Sequence, residues 1–415
     1  MSRRPGVLYV GQAFYHPFYL SRALRKLGWR ADVLNWDANP AAQHHYHGED
    51  FRFDYRGHRD LLSHGAFYAK ALRRYDVFHF SNAHGLRFGH ALHGFASRFG
   101  GPGAEIRLLK RLGKKIVYTN NGCLDGVAQS SFRAWPPHPT CDDCRWQHEA
   151  WFCSDERNLA WGAYRNELAD FQCLMGGNRA DYNRDPRVHE VPQFYCMDPD
   201  VWRPDLEVPA RHRIDLPAST VRIYHAVGDA TTRTWGPESR NVKSTHVYLP
   251  VVEQLKSEGH DCELLFFTDV PNLELRFVQA QADIVVDMLT FGFFGATTRE
   301  ALMLGKPVVC FLRPAWLEQM RRELPDYVAE LPVVSATPET VKDVLSDLIA
   351  HPEKRAEIGR RSREFALKWH SAEAGARRMD EVYRSLLDGT AAPAPRENWQ
   401  RTDDARDVPA EAISR

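Results

Sequence analysis

Short apolar runs alternate along the chain with stretches whose apolar residues recur every three or four positions. Residues 7–10 (Val-Leu-Tyr-Val) show the first pattern and predict a buried strand, after which Gly11 opens a loop. Leu20, Ala23, Leu24 and Leu27 show the second and predict a helix that Gly28 ends. Segments 31–36, 76–80 and 115–119 read as further strands, and 172–175 as a weaker one. Strands alternating with helices point to a parallel sheet covered on both faces.

Between Pro204 and Pro217 this rhythm breaks into a charged, proline-rich stretch, where the domain boundary is placed. A second α/β set follows, with candidate strands at 221–227, 262–268, 283–287, 308–312 and 333–335. A helix is expected over 245–258 with Pro250 inside it, and another through Ile349 opened by Thr337 as cap and Pro338 in its first turn. Segments 353–369 and 372–387 have helical spacing, and beyond Gly389 the composition turns to Ala, Pro, Asp and Arg, as in a disordered tail. The expected division is residues 1–205, with a cysteine-containing insertion near 123–153, then 206–370, a C-terminal helix at 371–388 and a tail at 389–415. Two such domains leave a cleft facing the carboxyl ends of both sheets, where open α/β sheets bind ligands.

Composition narrows the classes of function. The 415 residues are 43% hydrophobic and 26% charged, ample for large cores. Lys plus Arg equals Asp plus Glu at 54 each, so no net field draws in nucleic acid or anionic lipid. No apolar run approaches bilayer length, and the apolar stretch behind the basic N-terminus is too short for a signal peptide. The expectation is a soluble cytoplasmic protein whose eight cysteines are mostly reduced.

The most informative stretch runs from Asp287 to Leu312: strand end, glycine-bearing loop, helix, tight turn, strand. Gly292 and Gly295 let a backbone approach a ligand, and Thr297 or Thr298 would cap the following helix. Exposed N–H groups at such a helix start attract phosphate oxygens. Glu300, near the start of that helix, is placed to reach a ribose, and Gly305 and Pro307 end the helix and open the next strand.

These residues resemble the retaining nucleotide-sugar glycosyltransferases of the two-domain GT-B fold (glycosyltransferase family 4-like, glycosyl transferases group 1), which carry a Glu, seven residues, Glu motif. The match is to Ala282-Asp-Ile-Val-Val-Asp287, Gly292-Phe-Phe-Gly295 and Glu300-Ala-Leu-Met-Leu-Gly-Lys-Pro-Val308. His225-Ala-Val and Arg240-Asn-Val-Lys-Ser-Thr245 resemble the family's basic phosphate-binding stretch. Val191-Pro-Gln-Phe to Asp200-Val-Trp-Arg-Pro204 resembles its interdomain crossover, and Trp369-His-Ser371 with the last helix its C-terminal end. The likeness covers most of residues 5–388, strongly in the second half and loosely in the first. It implies two Rossmann-like domains, each with a parallel sheet facing an interdomain cleft, and a C-terminal helix crossing back.

By that resemblance the donor is a nucleoside-diphosphate sugar, with uridine or guanosine as the base, and transfer proceeds with retention and no catalytic metal. Arg240 and Lys243 would neutralise the diphosphate as charge grows on the leaving group; their alternative is two solvated loop charges. Gly295 and Thr297 would offer N–H groups to phosphate, and Glu300 would accept from the ribose. The family's first motif glutamate falls at Gly292 in this chain, which leaves Asp287 as a candidate substitute. In the first domain, Asn121 and Asp125 follow a strand at the place where the family has a polar residue near the anomeric carbon. Asp125 is the candidate acid/base and Asn121 a sugar contact, or the Asn-Asn-Gly is simply a turn; His84, after another strand, is the alternative acid/base. The acceptor is left open among glycan, lipid-linked and natural-product classes.

Cys141-Asp-Asp-Cys144 followed by Cys153 has spacing that suits a structural zinc, with Cys123 or His148 as the fourth ligand. A redox pair or unligated thiols are the other readings of the same four cysteines. A non-catalytic or regulatory nucleotide-sugar-binding protein of the same fold is the alternative to a transferase, and a GT-B-fold epimerase ranks last.

Overall fold

The computed structural model describes residues 4–391 apart from 13, 38–42, 54–59, 82–84, 121, 124–125, 138–139, 175–177 and 237. Seven strands form the first sheet: β1 (Gly6–Val10), β2 (Arg30–Asn35), β3 (Phe51–Arg52), β4 (Val77–Phe80), β5 (Lys115–Thr119), β6 (Phe171–Leu174) and β7 (Val188–Glu190). Their order is β3-β2-β1-β4-β5-β6-β7, with every neighbour parallel. After β1 the chain builds outward to β2 and β3, then returns to place β4 on the other side. That reversal is the topological switch at which open sheets bind ligands.

Alternation along β1 shows how both faces are buried. Val7 and Tyr9 join the core that holds Leu20 and Leu24 of helix α1 (His16–Lys26). Leu8 and Val10 join the core formed with α2 (Leu61–Arg74), α4 (Ala104–Arg111) and α5 (Asp155–Leu168). Between α2 and α4 lies α3 (His90–Gly100), none of whose residues is fully buried. Right-handed crossovers place α2 to α5 on one face and α1 on the other. Ser154 caps α5 by accepting from Arg157 N at 3.2 Å.

The second sheet has four parallel strands in the order β11-β10-β8-β9: β8 (Val221–Val227), β9 (Cys262–Thr268), β10 (Ile284–Val286) and β11 (Val308–Val309). Its switch lies between β8 and β10. Val334 makes only an isolated bridge to Val309, so the strand expected at 333–335 is a single parallel contact. Helix α6 (Thr245–Ser257) accommodates Pro250 in its interior, as expected. The helix expected to open at Thr337 begins instead at Val341, because Thr340 Oγ1 accepts from Thr337 N at 2.9 Å and closes a turn there first.

Two long helices close the molecule. The first, Pro352–His370, packs on the second domain. The second, Ala372–Asp388, crosses back and lies against α1. Trp29 Nε1 donates to Asp380 at 2.5 Å, and the hydroxyls of Tyr9 and Tyr383 meet at 2.9 Å. His79 of β4 is fully buried between Tyr383 OH and Thr119 Oγ1, each 2.6 Å away. The returning helix is therefore a wall of the first domain.

Candidate functional site

The switch point of the second sheet gathers the residues expected to hold a diphosphate. Lys243 lies beyond β8, Asp287 directly follows β10, and Gly295 precedes helix α8 (Ala296–Met303). Lys243 Nζ lies 2.6 Å from Asp287 Oδ1 and 3.4 Å from Thr297 Oγ1. A Cβ built on Gly295 would stand 3.9 Å from Nζ, so the ammonium sits over the start of α8. No side chain caps that helix. The expected threonine cap is absent because both hydroxyls are otherwise engaged: Thr298 Oγ1 donates to Asp287 Oδ2 at 2.7 Å, and Thr297 faces Lys243. The uncapped amide hydrogens at the start of α8, with the Asp287-paired ammonium above them, suit an anion.

Asp287 holds this cation in place and does not face the cleft. It is buried, and Tyr248 OH donates to its carbonyl oxygen at 2.5 Å. Burial by itself would raise its pKa, but the Lys243 ammonium and the Thr298 hydroxyl outweigh it and hold the carboxyl below its ordinary value. Its role as a substitute for the missing sugar-binding carboxylate thus has little geometric room, since both oxygens are spent.

Glu300 lies one turn into α8 and is 2% exposed. Oε1 accepts from Tyr15 OH at 2.7 Å and Asn272 Nδ2 at 2.8 Å, and Oε2 from Gln279 Nε2 at 3.1 Å. Burial pushes its pKa up, and the three neutral donors only partly offset that. Asn272 and Gln279 come from helix α7 (Asn272–Gln279) of the same domain, whereas Tyr15 comes from the loop after β1 of the first domain. Tyr15 also stacks on His47 at 4.5 Å, and His47 on Trp202 at 5.3 Å. Beside them, a Cβ on Gly228, directly after β8, would stand 3.1 Å from His45. The first domain therefore reaches over the expected ribose site.

Arg240 is also engaged across the cleft. Its guanidinium pairs with Asp143 at 3.2 Å, and Asp143 Oδ2 accepts from Thr290 at 2.9 Å. Thr140 Oγ1 donates to Thr290 O at 2.6 Å. The insertion thus clamps onto the second domain. Arg313, 1% exposed, completes the clamp through the carbonyl oxygens of Trp135, Pro136 and Thr290. Arg313 also fills the space beside Gly292, where a Cβ would come within 2.5 Å of its Nε. The position of the family's first glutamate is thus next to a buried guanidinium.

Of the remaining expectations, His84, Asn121 and Asp125 lie outside the described residues. Their neighbour Asn120 is buried and spent on structure, accepting from Arg165 Nη1 at 2.7 Å. Among the described residues no group of three or more His, Cys, Asp and Glu is placed to hold a metal ion. Cys141 is packed with Val127 and Phe132, and Cys153 Sγ accepts from Gln129 at 3.5 Å and Asn158 at 3.6 Å. Burial pushes the Cys141 thiol up to about 11. Cys141 lies in a small apolar cluster with Cys123 at its edge, whereas Cys144 and Cys153 lie outside it.

Tyr15, His45, Asn272, Gln279 and Arg313 were not singled out by sequence. Only Tyr15 had a local signal, its place in the loop after the first strand.

No protein-family model and no curated protein matches the chain. Solved structures do match it in fold. A glycosyltransferase from Rickettsia africae ESF-5 is 13% identical with a TM-score of 0.58, covering 94% of this chain and 100% of that one. Anabaena HepE, solved with UDP and glucose, is 14% identical with a TM-score of 0.54, over 92% and 99%. Sucrose-phosphate synthase from Thermosynechococcus elongatus is 15% identical with a TM-score of 0.51, over 94% and 100%. The likeness spans both domains, and the architecture is that of the GT-B fold.

Proposed function

We propose that the protein transfers a sugar from a nucleoside-diphosphate sugar, binding the donor on the second domain and the acceptor on the first. The observation that carries this reading is the pairing on one helix of an ammonium-topped N-terminus with a buried carboxylate one turn away. Lys243 and the amides at Gly295 to Thr297 suit a diphosphate, and Glu300 suits a ribose. Solved neighbours include HepE with UDP and glucose, which agrees with such a donor. Charge develops on the diphosphate as the glycosidic bond breaks, and a fixed cation aimed there lowers the barrier.

Two residues must change partners for a donor to enter. The ribose needs the Glu300 oxygen that Tyr15 occupies, and Arg240 must leave Asp143 if it is to reach a phosphate. Donor binding on this reading opens the contact between Tyr15 and α8 and then recloses the domains around the sugar, excluding water. Asp287 Oδ1 holds Lys243 in place throughout. Retention is what the sequence resemblance implies.

Gly292 and Arg313 support a second reading, a nucleotide-sugar-binding protein without transfer. A guanidinium stands beside the position where the resembling family has its donor-sugar carboxylate. A thermal-shift panel of uridine, guanosine, adenosine and thymidine diphosphates tests the shared site, because a ligand of the folded state raises its unfolding temperature. Incubation with the matching labelled nucleotide sugars then separates the readings. Slow release of free sugar indicates a transferase, binding without turnover indicates the second reading, and no stabilisation by any diphosphate overturns both.

A further inference from the structure

The chain as a whole is neutral, but its charge is unevenly placed. Residues 61–115, which form α2, α3 and α4 with β4 between them, hold ten Lys and Arg against two acids, Asp76 and Glu105. Neither acid offsets the surface. Glu105 is buried and bonded to His93 at 2.6 Å, and Asp76 is tied to Gly6 N at 3.0 Å. Arg107 and Lys110 are paired with Glu167 and Asp170 at the rim. Lys70, Arg98 and Arg111 are exposed and have no acidic partner among the described residues.

The same helices carry several exposed apolar side chains. Nine large hydrophobic side chains are exposed among the described residues, and five of them are Leu62, Phe95, Phe99, Leu108 and Leu112. Phe99 is 79% exposed and Leu62 85%. Phe95 and Phe99 lie one turn apart on α3, with rings 5.0 Å from centre to centre. Leu108 and Leu112 are one turn apart on α4, which packs on α3. On α2, Leu62, Ala66, Ala69 and Arg73 share one stripe, and an open groove at its far end is lined by Arg30, Lys70, Arg73 and Arg74. A soluble surface seldom displays several exposed phenylalanines and leucines on packed helices that also carry Lys70, Arg98 and Arg111.

We propose that the α2–α3–α4 face docks on an anionic lipid surface, with Phe95, Phe99 and Leu62 entering the headgroup boundary and Lys70, Arg98 and Arg111 meeting lipid phosphates. The pattern is that of a helix lying in the interface plane. No helix of the described residues is long and apolar enough to cross a membrane, so the attachment is peripheral. This inference is independent of sugar transfer.

Vesicle flotation tests it on the full chain, with phosphatidylcholine vesicles and with equal mixtures of phosphatidylcholine and phosphatidylglycerol. The protein is expected to float with the anionic vesicles and to dissociate in high salt. Phe95→Ser with Phe99→Ser should cut binding about tenfold or more, since two buried phenyl rings exceed the ~1.4 kcal/mol of one decade. Lys70→Glu, Arg98→Glu and Arg111→Glu together should abolish the preference for anionic lipid. All five positions are exposed, so the unfolding temperature should hold, which separates lost docking from lost folding. No flotation with either vesicle, phenylalanine variants that bind like the parent, or binding to single-stranded RNA without binding to vesicles would each overturn the proposal.

Discussion

Tyr15 OH donates to Glu300 Oε1 at 2.7 Å, joining the loop after the first strand of one domain to a buried carboxylate 285 positions away in the other. The phenol stands where a ribose hydroxyl is proposed to bind. Tyr15→Phe should lower the stability of the unliganded protein by about 1 kcal/mol, the ordinary worth of such a bond or slightly more. It should also tighten nucleoside diphosphate binding, because the ligand no longer displaces a phenol. Calorimetric titration reads both effects, and a variant that binds more weakly than the parent would contradict the competition.

Lys243 and Asp287 form a nearly enclosed pair, with side chains 13% and 0% exposed. Lys243→Met strands a buried carboxylate and should cost about 3–5 kcal/mol. Adding Asp287→Asn should restore most of that stability and none of the diphosphate affinity. Urea unfolding with a nucleotide titration distinguishes this outcome from a purely structural pair, for which the double variant would recover binding as well.

Gly292 has φ +95 and no space for a side chain, with Arg313 Nε 2.5 Å from an added Cβ. Gly292→Ala should destabilise the protein by roughly 2–3 kcal/mol through backbone strain and overpacking. Gly292→Glu restores the family's spacing on paper, yet here it is expected to disrupt the Arg313 clamp without restoring turnover. A soluble, fully active Gly292→Glu protein would refute that account of the site.

Burial lowers the pKa of His79 from 6.5 to about 3. A folded-state value below the unfolded one means the stabilisation is present above about pH 6.5 and is lost as pH falls toward 3. The loss is roughly 1.4 kcal/mol per pH unit for this one group. His79→Leu should be less stable at neutral pH, having lost the bonds to Tyr383 and Thr119, but its stability should fall less steeply in acid. Unfolding midpoints measured at several pH values compare the two slopes, and parallel slopes would show that His79 does not titrate as described.

Sequence revealed the central strands and the C-terminal helices well and the cross-domain contacts hardly at all. Strands β5, β8 and β9 match the segments expected from apolar runs. The edge strands β3 and β7, two and three residues long, were missed because so short a pairing leaves no periodicity to read. Helices α2 to α4 were missed too, since their apolar residues are divided between core and solvent. The motif around α8 was legible because its glycines, threonines and glutamate are contiguous. Its cap was misjudged because the threonines had partners elsewhere, Asp287 and Lys243. Tyr15 and His45 reach this site from distant segments, and no local pattern announces such partners. The thiol spacing that suggested zinc was equally local, and among the described residues no group of three or more His, Cys, Asp and Glu is placed to hold a metal ion.

The helix Ala372–Asp388 has a consequence for how the chain is made. The first sheet is made well before residues 372–388, so Tyr9, Trp29 and His79 lack their partners Tyr383 and Asp380 until that later stretch emerges. The N-terminal half thus cannot mature during synthesis ahead of the rest, and a nascent chain stalled before that point would offer these side chains to chaperones.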